Sequence, residues 1–186
     1  MIKTTLRILA VAAVMSAGTY GAFAAKNPIV GGAPMFASKN IVENAVNSKD
    51  HTTLVAAVKA AGLVDTLEGK GPFTVFAPTN EAFDKLPPGT VQTLLKPENK
   101  AQLVKILTCH VVAGDEMSSA IKKMVMGAGG EYDVKTVGGC VLKAMDKGGK
   151  ITLTDEAGGT AHVTIADVKQ SNGVIHVVDK VLLPKM

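Results

Sequence analysis

Two stretches decide the fold of this chain: Gly71-Pro-Phe-Thr-Val-Phe-Ala-Pro-Thr-Asn-Glu-Ala-Phe83 and, further along, Asn172-Gly-Val-Ile-His-Val-Val-Asp-Lys-Val-Leu-Leu-Pro184. Each is a short apolar run framed by turn residues, the pattern of a buried strand. In the first, residues 73–76 read as a strand running into Ala77-Pro78-Thr79-Asn80. Thr79 or Asn80 then caps a helix that carries Phe83, with Glu81 in its first turn, where a negative charge suits the helix dipole. In the second, Ile175, Val177, Val181 and Leu183 fall on one face and Val174, Val178 and Leu182 on the other. Apolar residues on both faces predict a strand sandwiched between two layers. His176 lies on a mostly apolar face and reads as a buried neutral histidine with a satisfied hydrogen bond. Asp179, at the end of that strand, reads as an acceptor for backbone or Asn/Thr donors.

Helical spacing dominates the sequence before and just after the first stretch. Asn40 is placed to cap a helix with Ile41, Val42, Ala45 and Val46 on one side. Leu54, Val55, Val58 and Ala61 predict a second helix that Gly62 closes. Pro87-Pro88-Gly89 interrupts the chain, and Pro97 opens a longer helix with Leu103, Val104, Ile106 and Leu107 as its apolar stripe. A short helix over roughly 117–126 precedes Gly127 to Gly130. The remainder reads as strands over 131–137, 140–145, 150–154, 160–168 and 174–182, separated by glycine-rich turns. Alternation with Val163 and Ile165 points His162 toward solvent with Thr164. Helices followed by an antiparallel meander make this an α+β chain and not a doubly wound parallel sheet.

Three segments in this order resemble the fasciclin (FAS1) domain. Thr74-Val-Phe-Ala-Pro-Thr-Asn80 stands where the first family signature falls, with Thr74, Phe76, Ala77, Pro78, Thr79, Asn80 and Phe83 as its matching residues. Leu107-Thr-Cys-His-Val-Val112 matches the middle segment through His110. The second signature is matched by Asn172, Gly173, Ile175, His176, Val178 and Asp179. The resemblance covers nearly all of 38–184 and implies a β wedge, a sandwich of two mainly antiparallel sheets with a layer of short helices from the N-terminal half. In many fasciclin domains the position of His110 is the second residue of a Tyr-His pair associated with adhesion. Here the pair is Cys109-His110, so only the histidine matches. The expected role of His110 is to tie its loop to the domain by hydrogen bonds.

The N-terminus reads as an export signal. Lys3 and Arg7 precede the apolar run from Ile8 to Ala17, and Ala22-Phe23-Ala24 offers small residues where a signal peptidase cuts. The apolar run is too short for a membrane span. Residues 1–24 are therefore expected to be a cleaved signal peptide, 25–38 a linker or N-terminal arm, and 39–186 the domain. Cleavage removes Lys3 and Arg7, lowering the formal charge from +4 to +2 and removing the chain's single Arg. The remaining cations are mostly scattered Lys residues, which argues against a nucleic-acid partner. A soluble periplasmic or secreted monomer, without stable membrane insertion after cleavage, is expected.

Two Cys in an exported protein favour a disulfide between Cys109 and Cys140. Two free buried thiols, or a metal site built from Cys109, His110, Cys140 and a second His, are the alternatives. The second lacks any compact ligand spacing. No nucleophile elbow, zinc-protease motif or phosphate loop is present in the sequence. The acidic pairs Asp115-Glu116 and Asp155-Glu156 read as solvated loop charge. No catalytic residue, metal or cofactor is assigned. The family resemblance implies a non-enzymatic adhesion or interaction module of the bacterial cell envelope, binding a cell-surface or matrix protein or a polysaccharide. The alternative is a periplasmic carrier of an apolar small ligand, a lipid or pigment, held between helices and sheets.

Overall fold

Helix-forming sequence is spent first and strand-forming sequence last. The computed structural model describes residues 27–185, so the signal segment read over 1–24 lies outside the described residues. The chain opens with a small hairpin, β1 (Ile29–Val30) and β2 (Ala33–Pro34), followed by α1 (Ile41–Ala45), α2 (Thr52–Ala61) and α3 (Val64–Glu68). Strand β3 (Phe73–Pro78) leads into α4 (Asn80–Asp84), α5 (Thr90–Leu94) and α6 (Lys100–Thr108). Then come β4 (Val111–Ala113), α7 (Ser118–Gly127) and a run of strands: β5 (Glu131–Lys135), β6 (Val141–Lys147), β7 (Lys150–Thr154), β8 (Thr160–Gln170) and β9 (Gly173–Val178).

Local chemistry sets the helix ends. Asn40 accepts from the Glu43 N–H while the Glu43 carboxylate accepts from the Asn40 N–H, a reciprocal cap on α1. Gly62 ends α2 at φ 72°, a left-handed position that suits a residue without a Cβ. Thr79 caps α4 by accepting from the Ala82 N–H at 3.2 Å. Its neighbour Asn80 works on a different helix. The Asn80 Oδ1 accepts from the Thr53 N–H at 3.0 Å, and its amide donates to the Lys49 carbonyl at 2.8 Å, closing the start of α2.

The seven-stranded sheet has the order β4-β3-β9-β8-β7-β6-β5, with β3 and β9 parallel and every other pair antiparallel. The two layers of the wedge are parts of one ladder that bends at β8. Its first residues pair with β7, its later ones with β9, and irregularities break the register between Val163 and Val168. The bend turns the ladder on itself. Phe76 and Val178 from one limb meet Val134, Leu142 and Leu153 from the other, with Ile121 and Val125 of α7 closing the end. The opposite face of β3 and β9 carries Val75, Ile175 and Val177 into a second core beneath α2 and α6. Alternation along β9 thus feeds two cores at once.

One sequence expectation changes. The last strand ends at Val178 and not at residue 182. Beyond it, the N–H groups of Leu182, Leu183 and Lys185 go to the side chains of His110, Asp155 and Glu156 instead of a neighbouring strand. Within the stretch read as a linker or arm, Val30 and Met35 are buried in the helical core, and Lys49 donates to the Gly31 carbonyl at 3.1 Å. These residues pack because the hairpin turns both apolar side chains toward α1.

The parallel pair β3–β9 demands one special residue. Gly173 sits at φ 153°, and a Cβ there would lie 1.9 Å from the Phe73 carbonyl oxygen. Gly173→Ala is expected to destabilise the domain by about 3 kcal/mol or more. Urea unfolding of the protein checks this, and an unchanged midpoint would contradict the close approach.

Candidate functional site

The polar residues of the sequence motifs gather around the junction of β3, β4, β9 and the C-terminal segment, and most are buried. His110 follows α6 directly. Its Nε2 accepts from the Leu182 N–H at 2.9 Å, so its proton sits on Nδ1, which donates to the Ile106 carbonyl at 2.8 Å. Burial lowers its pKa to about 4, against the partial support of that carbonyl and of Asp155. The imidazole is a neutral clamp between the end of α6 and the C-terminal segment.

His176 plays the matching part on β9. The Asp167 N–H donates to its Nδ1 at 3.2 Å, and its Nε2–H donates to the Glu116 carbonyl at 2.8 Å. Its ring stacks on Phe76 with centroids 5.7 Å apart. Burial lowers its pKa too. The segment it holds, 114–118, is gripped at two further points. Thr74 Oγ1 accepts from the Glu116 N–H and donates to the Gly114 carbonyl. Asp167, held at φ 60°, accepts from the Ser118 N–H at 2.6 Å and from the Ser118 hydroxyl, fixing the start of α7.

Asn172 spans three elements. Its Oδ1 accepts from the Ile41 N–H at 3.0 Å, and its amide donates to the carbonyls of Leu67 and Gly69 at 2.7 and 2.9 Å. Asp179 accepts from the His162 N–H at 2.7 Å and faces the His162 ring, which is exposed. Phe76, Ala77 and Val178 are core, as are Ile175 and Phe83.

Cys109 and Cys140 form a disulfide with Cα atoms 5.4 Å apart and 31 residues of separation. It ties the end of α6 to the turn before β6. Both thiols are consumed in it, which removes the metal alternative built on them. Among the described residues, no group of three or more His, Cys, Asp or Glu side chains is arranged to hold a metal. The reading of Asp155 as solvated loop charge is overturned. Asp155 is only 6% exposed, because its carboxylate accepts from the Gly159 N–H at 2.6 Å and the Leu183 N–H at 2.9 Å. Glu156 accepts from the N–H groups of Lys185 and Val141, and those bonds lower its pKa.

Two cavities lie beside this network. One, of about 50 Å³, lies between α1, α2 and the sheet and is lined almost wholly by apolar side chains. His51 borders it, with Nδ1 on the Ser48 hydroxyl at 2.8 Å and Nε2 without a partner among the described residues. In the sequence, Ser48 and His51 stand one turn apart just before α2, the only local sign of this pair. The second cavity, of about 340 Å³, opens between α7, β4 and β5. No motif marks it, because it forms from the edges of strands far apart in sequence.

The fasciclin domain family model matches residues 49–184. This chain belongs to the fasciclin family. Protein sll1483 of Synechocystis sp. is 48% identical over 161 residues, 87% of this chain and 82% of that protein. Immunogenic protein MPB70 of Mycobacterium bovis is 35% identical over 145 residues, 75% of this chain and 66% of that one. Transforming growth factor-beta-induced protein ig-h3 of Sus scrofa is 40% identical over 131 residues, 70% of this chain but 17% of the larger relative. A solved pair of FAS1 domains from the insect cell adhesion molecule fasciclin I superposes with a TM-score of 0.70 at 18% identity. The match covers 78% of this chain and 51% of that one, so this fasciclin domain spans about half of the pair.

Two measurements test the fasciclin domain's polar network. His110 has its ordinary pKa of about 6.5 when unfolded and about 4 when folded, so the folded state excludes its proton. Its contribution is complete above pH 6.5, declines as pH falls toward 4, and changes no further below that. Stability is expected to drop by roughly 3 kcal/mol from this group alone across that window, with His51 and His176 adding in the same direction. Denaturant unfolding as a function of pH, compared with His110→Gln, reads the slope; equal slopes would contradict the assignment. Reduction of the disulfide is expected to cost about 3–4 kcal/mol by the loop-closure relation. Unfolding with and without reductant checks it.

Proposed function

We infer that this fasciclin domain is an exported, non-enzymatic interaction module of the bacterial cell envelope, binding a surface or matrix protein or a polysaccharide. The observation that carries this reading is the fate of the signature polar groups. His110, Asn172 and His176 are buried and engaged by backbone partners, so they serve the scaffold and leave loops, helix faces and sheet edges as the outward surface. A general base or nucleophile needs an accessible, poised group, and these residues are committed to backbone bonds. The relatives support the setting. One is named a cell surface glycolipoprotein, MPB83 of Mycobacterium bovis, 34% identical over 168 residues. A solved fold neighbour is a cell adhesion molecule. Among the described residues no helix is long and apolar enough to cross a membrane.

The carrier reading finds less support. The larger cavity beside α7, about 340 Å³, is bordered by the charged Glu116, Asp133 and Lys135, and the apolar cavity under the helices holds about 50 Å³, about a third of a dry cavity that takes up benzene. A lipid or pigment does not fit there without a large opening.

Crosslinking of the tagged mature protein in its native envelope, followed by identification of captured species, tests the reading. Enrichment of one envelope protein or glycan over a tag-only control is expected. No enrichment, with a coloured or lipid compound extractable from the purified protein, would replace the interaction module with the carrier.

A further inference from the structure

The sheet has two edges, β4 and β5, and they meet at one end only. There the Val137 N–H donates to the Val111 carbonyl at 2.7 Å, and the Cys109–Cys140 bridge crosses the same end. Beyond that rung, among the described residues, no ladder joins them.

The alternation of hydrogen bonds tells which backbone groups face the gap. On the β3 side of β4, the Gly114 N–H donates to Pro72 and the Phe76 N–H to His110, each at 2.9 Å. Val112 therefore pairs inward with Thr74, while Val111 and Ala113 turn their N–H and C=O outward. On β5, the Thr136 N–H donates to the Cys140 carbonyl at 2.9 Å, so Tyr132 and Val134 pair inward with β6. Glu131, Asp133 and Lys135 turn theirs outward. The Val137–Val111 bond is made by outward groups of both edges, which confirms the parity. Among the described residues, no hydrogen bond reaches the outward backbone groups of Ala113, Asp133 or Lys135.

Side chains follow the complementary alternation. Val112, Tyr132 and Val134 point into the wedge, where with Phe76, Ile121 and Met124 they line the cavity of about 340 Å³. Its charged lining is Glu116, Asp133 and Lys135. Exposed Asp115 adjoins Glu116, so carboxylates outnumber cations here. Glu131 is engaged by Lys143 at 2.6 Å, and Lys143 also stands directly across the ladder from Asp133, so Asp115, Glu116, Glu131 and Asp133 face Lys135 and Lys143 around the gap.

We propose that the gap between β4 and β5 docks an extended peptide that alternates apolar and basic side chains and adds to the β5 edge as a further strand. The proposal rests on the interaction-module reading and names its surface. An open edge of N–H and C=O groups is a template for an extended chain, and alternate side chains read the pockets beside it. In an added strand, one set of side chains drops into the apolar cavity. The other set runs past Asp133, while Glu116 and the adjoining Asp115 border the cavity, so carboxylates stand near both sets and select cations. Antiparallel pairing of β5 with a second copy, centred on Asp133, sets two Asp133 carboxylates opposite each other but Glu131 opposite Lys135 on both sides, so self-association is an outcome the test must read.

The test uses the mature protein, isotopically labelled, titrated with a short peptide alternating Lys and Val at concentrations where the peptide is monomeric. Amide shifts confined to 112–116 and 131–135 are expected, weakening with added salt. Asp133→Pro removes an outward N–H that the β5–β6 ladder does not use, a position where an edge strand tolerates proline. It is expected to weaken binding by about tenfold or more with an otherwise unchanged amide spectrum. Should that variant misfold, the wild-type protein with peptides N-methylated at alternate residues supplies the same readout. Methylation on one parity abolishes binding and on the other spares it. Absence of binding, equal loss from both methylated peptides, shifts on the helical face, or self-association through β5 would each overturn the slot. Undiminished envelope capture by Asp133→Pro overturns it while leaving the interaction module intact. If the wild type captures nothing from the envelope, that broader reading falls and the peptide titration alone decides the slot.

Discussion

The parallel pairing of β3 with β9 is the constraint on which the rest of the molecule depends. It brings together two segments from opposite ends of the domain, in register from Phe73–Gly173 to Pro78–Val178. Parallel neighbours have no tight turn to set their register, so side chains and a glycine must do it. Asn172 fixes the start of β9 to α1 and to the end of α3, and Gly173 lets the backbone close on Phe73. Once that register holds, the alternation of β9 sends Val177 into the helical core and Val178 into the wedge. The two cores then form on either side of a single strand pair.

Around that pair the domain uses buried neutral histidines as backbone staples. His110 joins the end of α6 to Leu182, and His176 joins the bulge at Asp167 to the 114–118 segment. Each ring accepts one N–H and donates one N–H, which is the full capacity of a neutral imidazole. Charging either ring would turn its acceptor nitrogen into a donor facing an amide. Structure and electrostatics therefore agree on the direction of both pKa shifts. Asp155 and Glu156 complete the arrangement by holding the C-terminal segment, which lies outside the sheet.

The same arrangement makes the wedge asymmetric. At one end the disulfide and the Val137–Val111 bond draw the sheet edges together. At the other, α7 packs over the wedge and leaves a cavity between edges that are not joined. Cys109 of the bridge stands where the fasciclin resemblance implies the first residue of a Tyr-His pair. In this chain the histidine of that pair is 2% exposed and bonded on both sides, so His110 belongs to the scaffold. An outward surface for partners must come from elsewhere, and among the described residues the β4 and β5 edges present backbone groups without a protein partner.

Sequence alone determined what depends on short-range chemistry. The caps at Asn40 and Gly62, a cap at Thr79 or Asn80, the helices-then-strands order and the two-faced strand around His176 all follow from residue types at fixed spacing. Each is a local preference that tertiary contacts did not overrule. Only the tertiary structure decided the rest. Asp155 reads as loop charge until Leu183 and Gly159 arrive to bond it, and Asn80 looks like the cap of its own helix until it is seen closing α2. His51 acquires meaning only when folding places its ring at the edge of an apolar cavity. The gap between β4 and β5 has no sequence signature, because an unpaired edge is a property of which strands fail to meet. Periodicity shows which way a side chain faces, but the partner across the gap is set by the long-range closure of the sheet.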